Sequence, residues 1–438
     1  MKRHPAQRRA ARTPRSVRRR SQAFTLVEIL VALTAGVMVS LAAFGLSRNA
    51  TNFFQHEARI STAQLAVTLG INRISADLQR AGFLSSPNAR MDPSVCGQGL
   101  WGSVPGLSSL AGVTILAGNT PGTSQIGQNA LNPDALVIGG SLDSSEVFTV
   151  QCVVQGTGGA PALQLQTASF DNAMARVVQS LAGGTLADRL NTTFANGRIV
   201  QIFDPATGYR YFGVLGAAPA VTVVGDVATV QLASTPSIPV RPTSACGMIA
   251  PPTCGGGLLV SVITRARYDI RSLVGATGSV YAGLVTAPAG VAAITGDAGR
   301  MELVRVELDA ANAEIPSTLE LVAEYAVDMR FGITVASRIQ NDNYNPTHTT
   351  YGIGDANLYP IADDPATGPT ATPQRIRAVQ LRLAARTRAP DRSTDLPTGN
   401  DGRRLHFLVD GALTPPYARV RTGYTNVALV NQGGFALW

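Results

Sequence analysis

Phe24-Thr-Leu-Val-Glu-Ile-Leu-Val-Ala-Leu-Thr-Ala-Gly-Val-Met-Val-Ser-Leu-Ala-Ala-Phe-Gly-Leu46 is a run of 23 residues broken by one charge, Glu28. As a helix it would extend about 34 Å, enough for a bilayer core of roughly 30 Å. Residues 1–23 hold nine basic side chains (Lys2, Arg3, Arg8, Arg9, Arg12, Arg15, Arg18, Arg19 and Arg20) and no acid. With only Arg48 just beyond the run, this bias puts 1–23 in the cytoplasm and the rest of the chain outside it. A secretory signal cleaved near Ala42 and Ala43 would share the basic and apolar regions. Glu28 argues against that reading, because a carboxylate inside an apolar span is costly unless a partner neutralises it.

The helix is expected to continue past the membrane. Phe53, Ile60, Ala63, Val67, Ile71, Ile74 and Leu78 recur at spacings of three and four, with Gln55, Glu57, Arg59, Gln64, Asn72, Arg73, Asp77 and Arg80 between them. Gly82 follows as a stop signal. From Phe24 to Ala81 is 58 residues, about 87 Å if unbroken. Gly36, Gly45 and Gly70 read as weak points, each costing up to about 1 kcal/mol relative to Ala. The stripe is expected to pack on a sheet.

Around the start of this run, Gln22-Ala23-Phe24-Thr25-Leu26-Val27-Glu28 resembles the type IV prepilin processing site: a small residue, then Phe-Thr-Leu-[Val/Ile]-Glu, then an apolar helix. The resemblance implies that prepilin peptidase cuts between Ala23 and Phe24 and methylates the new amino terminus. It also implies that Glu28 meets the α-amine of Phe24 on a neighbouring subunit, a charge pair that offsets the cost of burying the acid. Ala23 stands where the family usually has Gly.

The whole chain is 45% apolar and 15% charged over 438 residues, far below the roughly 25% charge of an ordinary soluble domain. Gly and Pro, at 44 and 26 residues, stay under the roughly 25 to 30% that marks low-complexity chains. A packed body of one domain or two lobes is expected. The net charge of +8 sits in residues 1–23, since the remainder carries 27 basic and 28 acidic residues. That distribution excludes a broadly basic nucleic-acid binder. Lys2 is the single lysine, so the processed chain lacks a phosphate-binding or Schiff-base lysine.

In the body, residues 84–130 are rich in Gly, Ser, Pro and Asn and read as loop with short strands. Leu258, Val260, Val262, Ala266, Tyr268 and Ile270 alternate with Ser261, Arg265, Arg267 and Asp269. Leu321, Ala323, Tyr325, Val327, Met329, Phe331, Ile333 and Val335 alternate with Glu324, Asp328, Arg330 and Thr334, and Val379, Leu381 and Leu383 with Gln380 and Arg382. These patterns predict half-buried antiparallel strands. Asp204-Pro-Ala-Thr-Gly208 has hairpin-turn chemistry. The expected class is α+β: a cytoplasmic leader (1–23), a transmembrane half-helix (24–46), an amphipathic half-helix (47–83), and a sheet-rich body (84–438).

With these strands placed, the chain resembles the PilW family of type IV pilus assembly proteins. Arg73-Ile-Ser-Ala-Asp-Leu-Gln-Arg-Ala-Gly-Phe83 is similar to that family's helix end. Leu321 to Gly332, Arg377 to Arg388 and Tyr417 to Asn431 are similar to its late strands. The resemblance implies a minor pilin that primes pilus assembly or joins the tip complex. Its implied partners are other minor pilins, the major pilin, prepilin peptidase, the inner-membrane assembly platform and a tip adhesin. The implied location is the inner membrane with a periplasmic body, then the pilus. Alternatives are a type II secretion or competence pseudopilin and a membrane-anchored periplasmic binding module.

Four cysteines, Cys96, Cys152, Cys246 and Cys254, fall in the exported part, where disulfides form. The short loop between Cys246 and Cys254 suggests that pair, leaving Cys96 with Cys152. The spacing does not suit a zinc site. Asn341-Asp-Asn-Tyr-Asn345, with Asp355, Asp363 and Asp364, offers oxygen ligands of the kind calcium takes, but lacks the EF-hand Gly and Glu and reads as a solvated turn. His56, His348 and His406 fit no catalytic motif. No catalytic activity, metal or cofactor is expected.

Overall fold

Thr25 caps the first element, the helix α1 (Leu26–Gln79), a single run of 54 residues. The computed structural model describes residues 24–118, 128–167, 172–179, 184–216, 220–241, 246–273, 300–337, 346–368, 370–396, 399, 402–409 and 415–432. The basic leader, Ala23 and Asn341 to Asn345 lie outside the described residues. Helix α1 ends where the sequence places its stop: Gly82 adopts φ +73 and its N–H donates to Gly139 O at 2.8 Å. That left-handed backbone suits glycine and turns the chain onto the sheet.

Chain contacts divide the molecule at Ala58 into residues 1–58 and 59–438. In the first unit the large apolar side chains of α1, among them Phe24, Leu26, Val31, Leu41 and Phe44, are exposed. Its most apolar window is long enough to cross a membrane and has none of its residues buried.

In the second unit the same helix is a core element. Ala63, Val67, Gly70, Ile74, Asp77 and Leu78 are buried, in the alternating four-and-three rhythm that keeps one face inward. Gly70 is a site of close packing rather than a weak point. A Cβ there would lie 2.5 Å from Leu383 Cδ2 and 3.3 Å from Leu303 Cδ2. Gly423 does the same from the sheet side, its missing Cβ leaving room for Ile71 and Val67 at 2.6 and 2.7 Å.

Two sheets pack against this face, one of 13 strands and one of five. The five-stranded sheet runs in the order His348–Tyr351, Ala326–Ala336, Ile376–Arg386, Tyr417–Ala428, His406–Leu408. The larger sheet is built on Leu259–Arg271, which pairs along its length with Ile199–Phe203, Phe148–Gln155, Ala135–Gly140 and Glu302–Leu308. Among the described strand pairs only Val95–Cys96 with Arg210–Val214 is parallel. Ile74, Leu78 and Ala81 share one apolar core with Tyr268, Ile270 and Leu303 of the large sheet and Phe331, Leu381 and Leu383 of the small one. The class is α+β, as the sequence pattern predicts. The Asp204–Gly208 turn also holds: Phe203 pairs with Arg210 and Gly208 N donates to Asp204 O at 2.8 Å.

Two strand expectations need correction. The alternating run from Leu321 to Val335 is two strands, Glu314–Ala323 and Ala326–Ala336, and they belong to different sheets. Tyr325 turns between them at φ +55, a conformation without a Gly or Pro to announce it. Its ring lies 4.5 Å from the Arg300 guanidinium and 5.0 Å from that of Arg386, cation–π contacts that help hold the strained turn. Leu259–Arg271 is buried on both faces instead of one. Its polar face is covered because Asp269 pairs with Arg267 and Arg271, and paired charges tolerate burial.

Candidate functional site

The amino-terminal turn of α1 carries the chemistry the sequence points to. Glu28 Oε2 accepts from Thr25 N and from Thr25 Oγ1, each at 3.0 Å, while Glu28 N donates to Thr25 Oγ1 at 3.3 Å. This is a reciprocal capping box, in which Thr at the cap and Glu three residues on satisfy the first orphan N–H groups of a helix. The Thr-x-x-Glu spacing signalled it, although the family-based reading assigned Glu28 only to a neighbouring subunit. Neither bond from Thr25 uses Oε1, so that oxygen can still accept a cation. Phe24, immediately before the cap, is 78% exposed; its peptide bond to Ala23 lies at the edge of the described residues.

Residues 18–44 match the family model described as the prokaryotic N-terminal methylation motif. The motif supports a type IV pilin-like protein. The matched segment contains the Ala23–Phe24 junction, the capping box and most of the exposed apolar half of α1. No curated protein and no solved structure matches the chain.

The other end of the pilin-like helix is fixed by charges that sequence reading left on its polar face. Asp77, 3% exposed, accepts from Tyr268 Oη at 2.7 Å and from Arg305 Nε at 2.9 Å. Arg305 reaches on to Asp143 at 3.1 Å, Arg198 joins Glu307 at 2.7 Å, and Arg73 meets Glu320 at 2.8 Å. Burial, then the Asp77 charge, pushes the Tyr268 phenol up. Burial alone would lower Arg305, but Asp77 and Asp143 hold it above the usual arginine value. Burial, outweighing Arg198 and reinforced by Asp143, raises Glu307. Asp143 is lowered: burial opposes ionisation, but the Glu307 hydrogen bond, Arg305 and Arg198 prevail. The missed signal was rhythm, since Asp77 continues the spacing of Ala63, Val67, Gly70 and Ile74.

The cysteines pair differently from the expectation. Cys152 is bonded to Cys254, 102 residues away, which overturns both Cys246 with Cys254 and Cys96 with Cys152. Strand register decides it: Thr253–Cys254 lies antiparallel to Phe148–Gln155 with Cys254 directly opposite Cys152. Cys96 is buried in an apolar core, and Cys246 packs against that same core.

Near the end of α1 is a cavity of about 610 Å3 lined by Phe83, Leu84, Gln201, Phe203, Arg210 and Leu259, among others. Ser85 Oγ and Gln201 Oε1, both buried in its wall, have no hydrogen-bond partner among the described residues, so an apolar group bearing a donor suits it. In the acidic segment read as a solvated turn, Asp355 accepts from Asn357 N at 2.9 Å and Asp364 from Ala366 N at 2.8 Å. His406 Nδ1 lies 2.9 Å from Thr394 O.

Proposed function

We propose that this chain is a minor pilin of a type IV pilus, priming assembly or forming part of the tip complex. The observation that carries the proposal is the methylation motif on a helix whose first half exposes its apolar side chains and opens with the Thr25–Glu28 box. Prepilin peptidase would cut between Ala23 and Phe24, removing the basic leader. The new amine of Phe24 would then meet Glu28 Oε1 of an adjacent pilin, relieving the cost of an acid in hydrocarbon. Before assembly the apolar half of α1 would sit in the inner membrane with the body in the periplasm. In the fibre it would pack against the helices of other minor pilins and the major pilin, delivered by the inner-membrane platform. The 355-residue body beyond the helix favours a scarce tip or priming position over a repeated one, and a tip position would let it carry an adhesin. The Cys152–Cys254 bond is consistent with an oxidising, exported setting.

Mass spectrometry of the protein from its own cells should find N-methylated Phe24 as the first residue; an intact Met1 would refute processing. Glu28→Ala should reduce co-purification with partner pilins, and undiminished recovery would remove the acid from assembly. The same terminus suits a type II secretion or competence pseudopilin. Gene deletion decides between them by which is lost: surface pili, secretion or DNA uptake.

A further inference from the structure

The packing around Cys96 points to a second covalent cross-link. Cys96 ends the two-residue strand Val95–Cys96, where it stands opposite Tyr211 in the parallel ladder. Cys246 comes from a separate loop closed by Met248 N donating to Pro239 O at 2.7 Å and Arg241 N to Met248 O at 2.8 Å. The two segments lie against each other. Gly97, at φ +84, has no Cβ where one would stand 3.0 Å from Pro239 Cδ. Arg241 binds Asp204 and the Gly247 carbonyl. At the centre of this clasp Cys96 lies in an apolar cluster against which Cys246 packs, and the two thiols are near enough to feel each other's charge.

We infer that Cys96 and Cys246 form a disulfide in the exported protein, so that the chain carries two bridges, Cys96–Cys246 and Cys152–Cys254. The inference rests on the exported reading above, because disulfides persist in oxidising compartments. Cysteines on two segments already packed together need little backbone movement to close, and Cys152–Cys254 has to form under the same conditions.

The chemistry is a two-electron exchange with a protein disulfide donor. Cys246, the more exposed of the pair, loses its proton, and its sulfur attacks the donor's S–S bond, expelling one donor thiolate and leaving a mixed disulfide. Cys96 then loses its proton and attacks the Cys246 sulfur, expelling the second donor thiolate. The two protons end on the donor's sulfurs; the chain is oxidised by two electrons and the donor is reduced by two. Burial, then the contact with Cys246, pushes the Cys96 thiol up to about 12. Cys96 is therefore a poor first nucleophile, and the more accessible Cys246 begins the exchange.

The test is disulfide mapping of the full chain isolated from its own membranes without reductant, denatured and alkylated in one step. Cyanogen bromide cleaves after Met248 and separates Cys246 from Cys254; an aspartate-specific protease cutting before Asp134 separates Cys96 from Cys152. The expected result is a Cys96 fragment linked to a Cys246 fragment, unalkylated and released by reduction. Alkylated Cys96 and Cys246 overturn the inference. If Cys152–Cys254 is then intact, the failure lies in this pair. If all four are alkylated, it lies with the exported reading.

Discussion

Asp77 shows how one side chain can hold a helix in place. It brings a negative charge into the core and meets two donors there, Tyr268 and Arg305, both on the large sheet. Asp77→Ala would leave the buried Arg305 guanidinium with Asp143 at 3.1 Å and Glu307 at 4.0 Å. Removing one member of a buried pair strands the other, so the variant should lose about 3 kcal/mol of stability in chemical denaturation, against less for Asp77→Asn, which keeps an acceptor. The neighbouring carboxyls respond to pH. Glu307 has a raised pKa in the fold, so its contribution is fully present below the ordinary value of 4.5 and is lost as pH rises through the raised one. Asp143 has the opposite sign: its contribution is present above 3.8 and fades as pH falls through its lowered value. Glu307→Gln keeps a hydrogen-bonding partner for Asp143 without the second charge. Its melting temperature relative to the native chain should therefore rise as pH increases above 4.5; a constant difference would show that Glu307 does not carry the raised pKa.

At the scale of elements, α1 was the most legible part of the chain because its signals are local. The apolar run, the three-and-four stripe and Gly82 each act over a turn or two, and the helix runs unbroken from Leu26 to Gln79. Gly70 was misread because propensity is also local, whereas the reason for this glycine is Leu383, more than three hundred residues away in the chain. In an open helix Gly70→Ala would stabilise by up to about 1 kcal/mol. Here overpacking against Leu383 should reverse the sign and cost about 1 to 3 kcal/mol, read as a fall in melting temperature, while Gly36→Ala, with open space around it, should leave the body unchanged. The break at Tyr325 was illegible for a related reason. Alternation continues through the turn, so period two alone cannot say where the chain leaves one sheet for the other.

For the whole molecule, the class could be read from pattern but the sheet order and the cross-link could not. Both depend on register between distant strands: Cys254 faces Cys152 because Thr253–Cys254 docks on Phe148–Gln155, and nothing within either segment announces the other. The candidate site was legible where it is contiguous, at Phe24 to Glu28, and illegible at Asp77, whose partners come from two remote strands. The bridge spans a sequence separation of 102, and closing a loop of that length restricts the unfolded chain. Cys152→Ser should therefore cost about 2 to 4 kcal/mol in reversible denaturation. The loss should vanish when the native chain is measured in reductant.

Because the later turns of α1 lie between two sheets and are tied in by Asp77 near their end, a pull applied along the helix axis is resisted by the interior of the body. Yielding would require breaking the shared apolar core and the Asp77 anchor in one event, so the body should withstand tension up to a sharp rupture force instead of creeping.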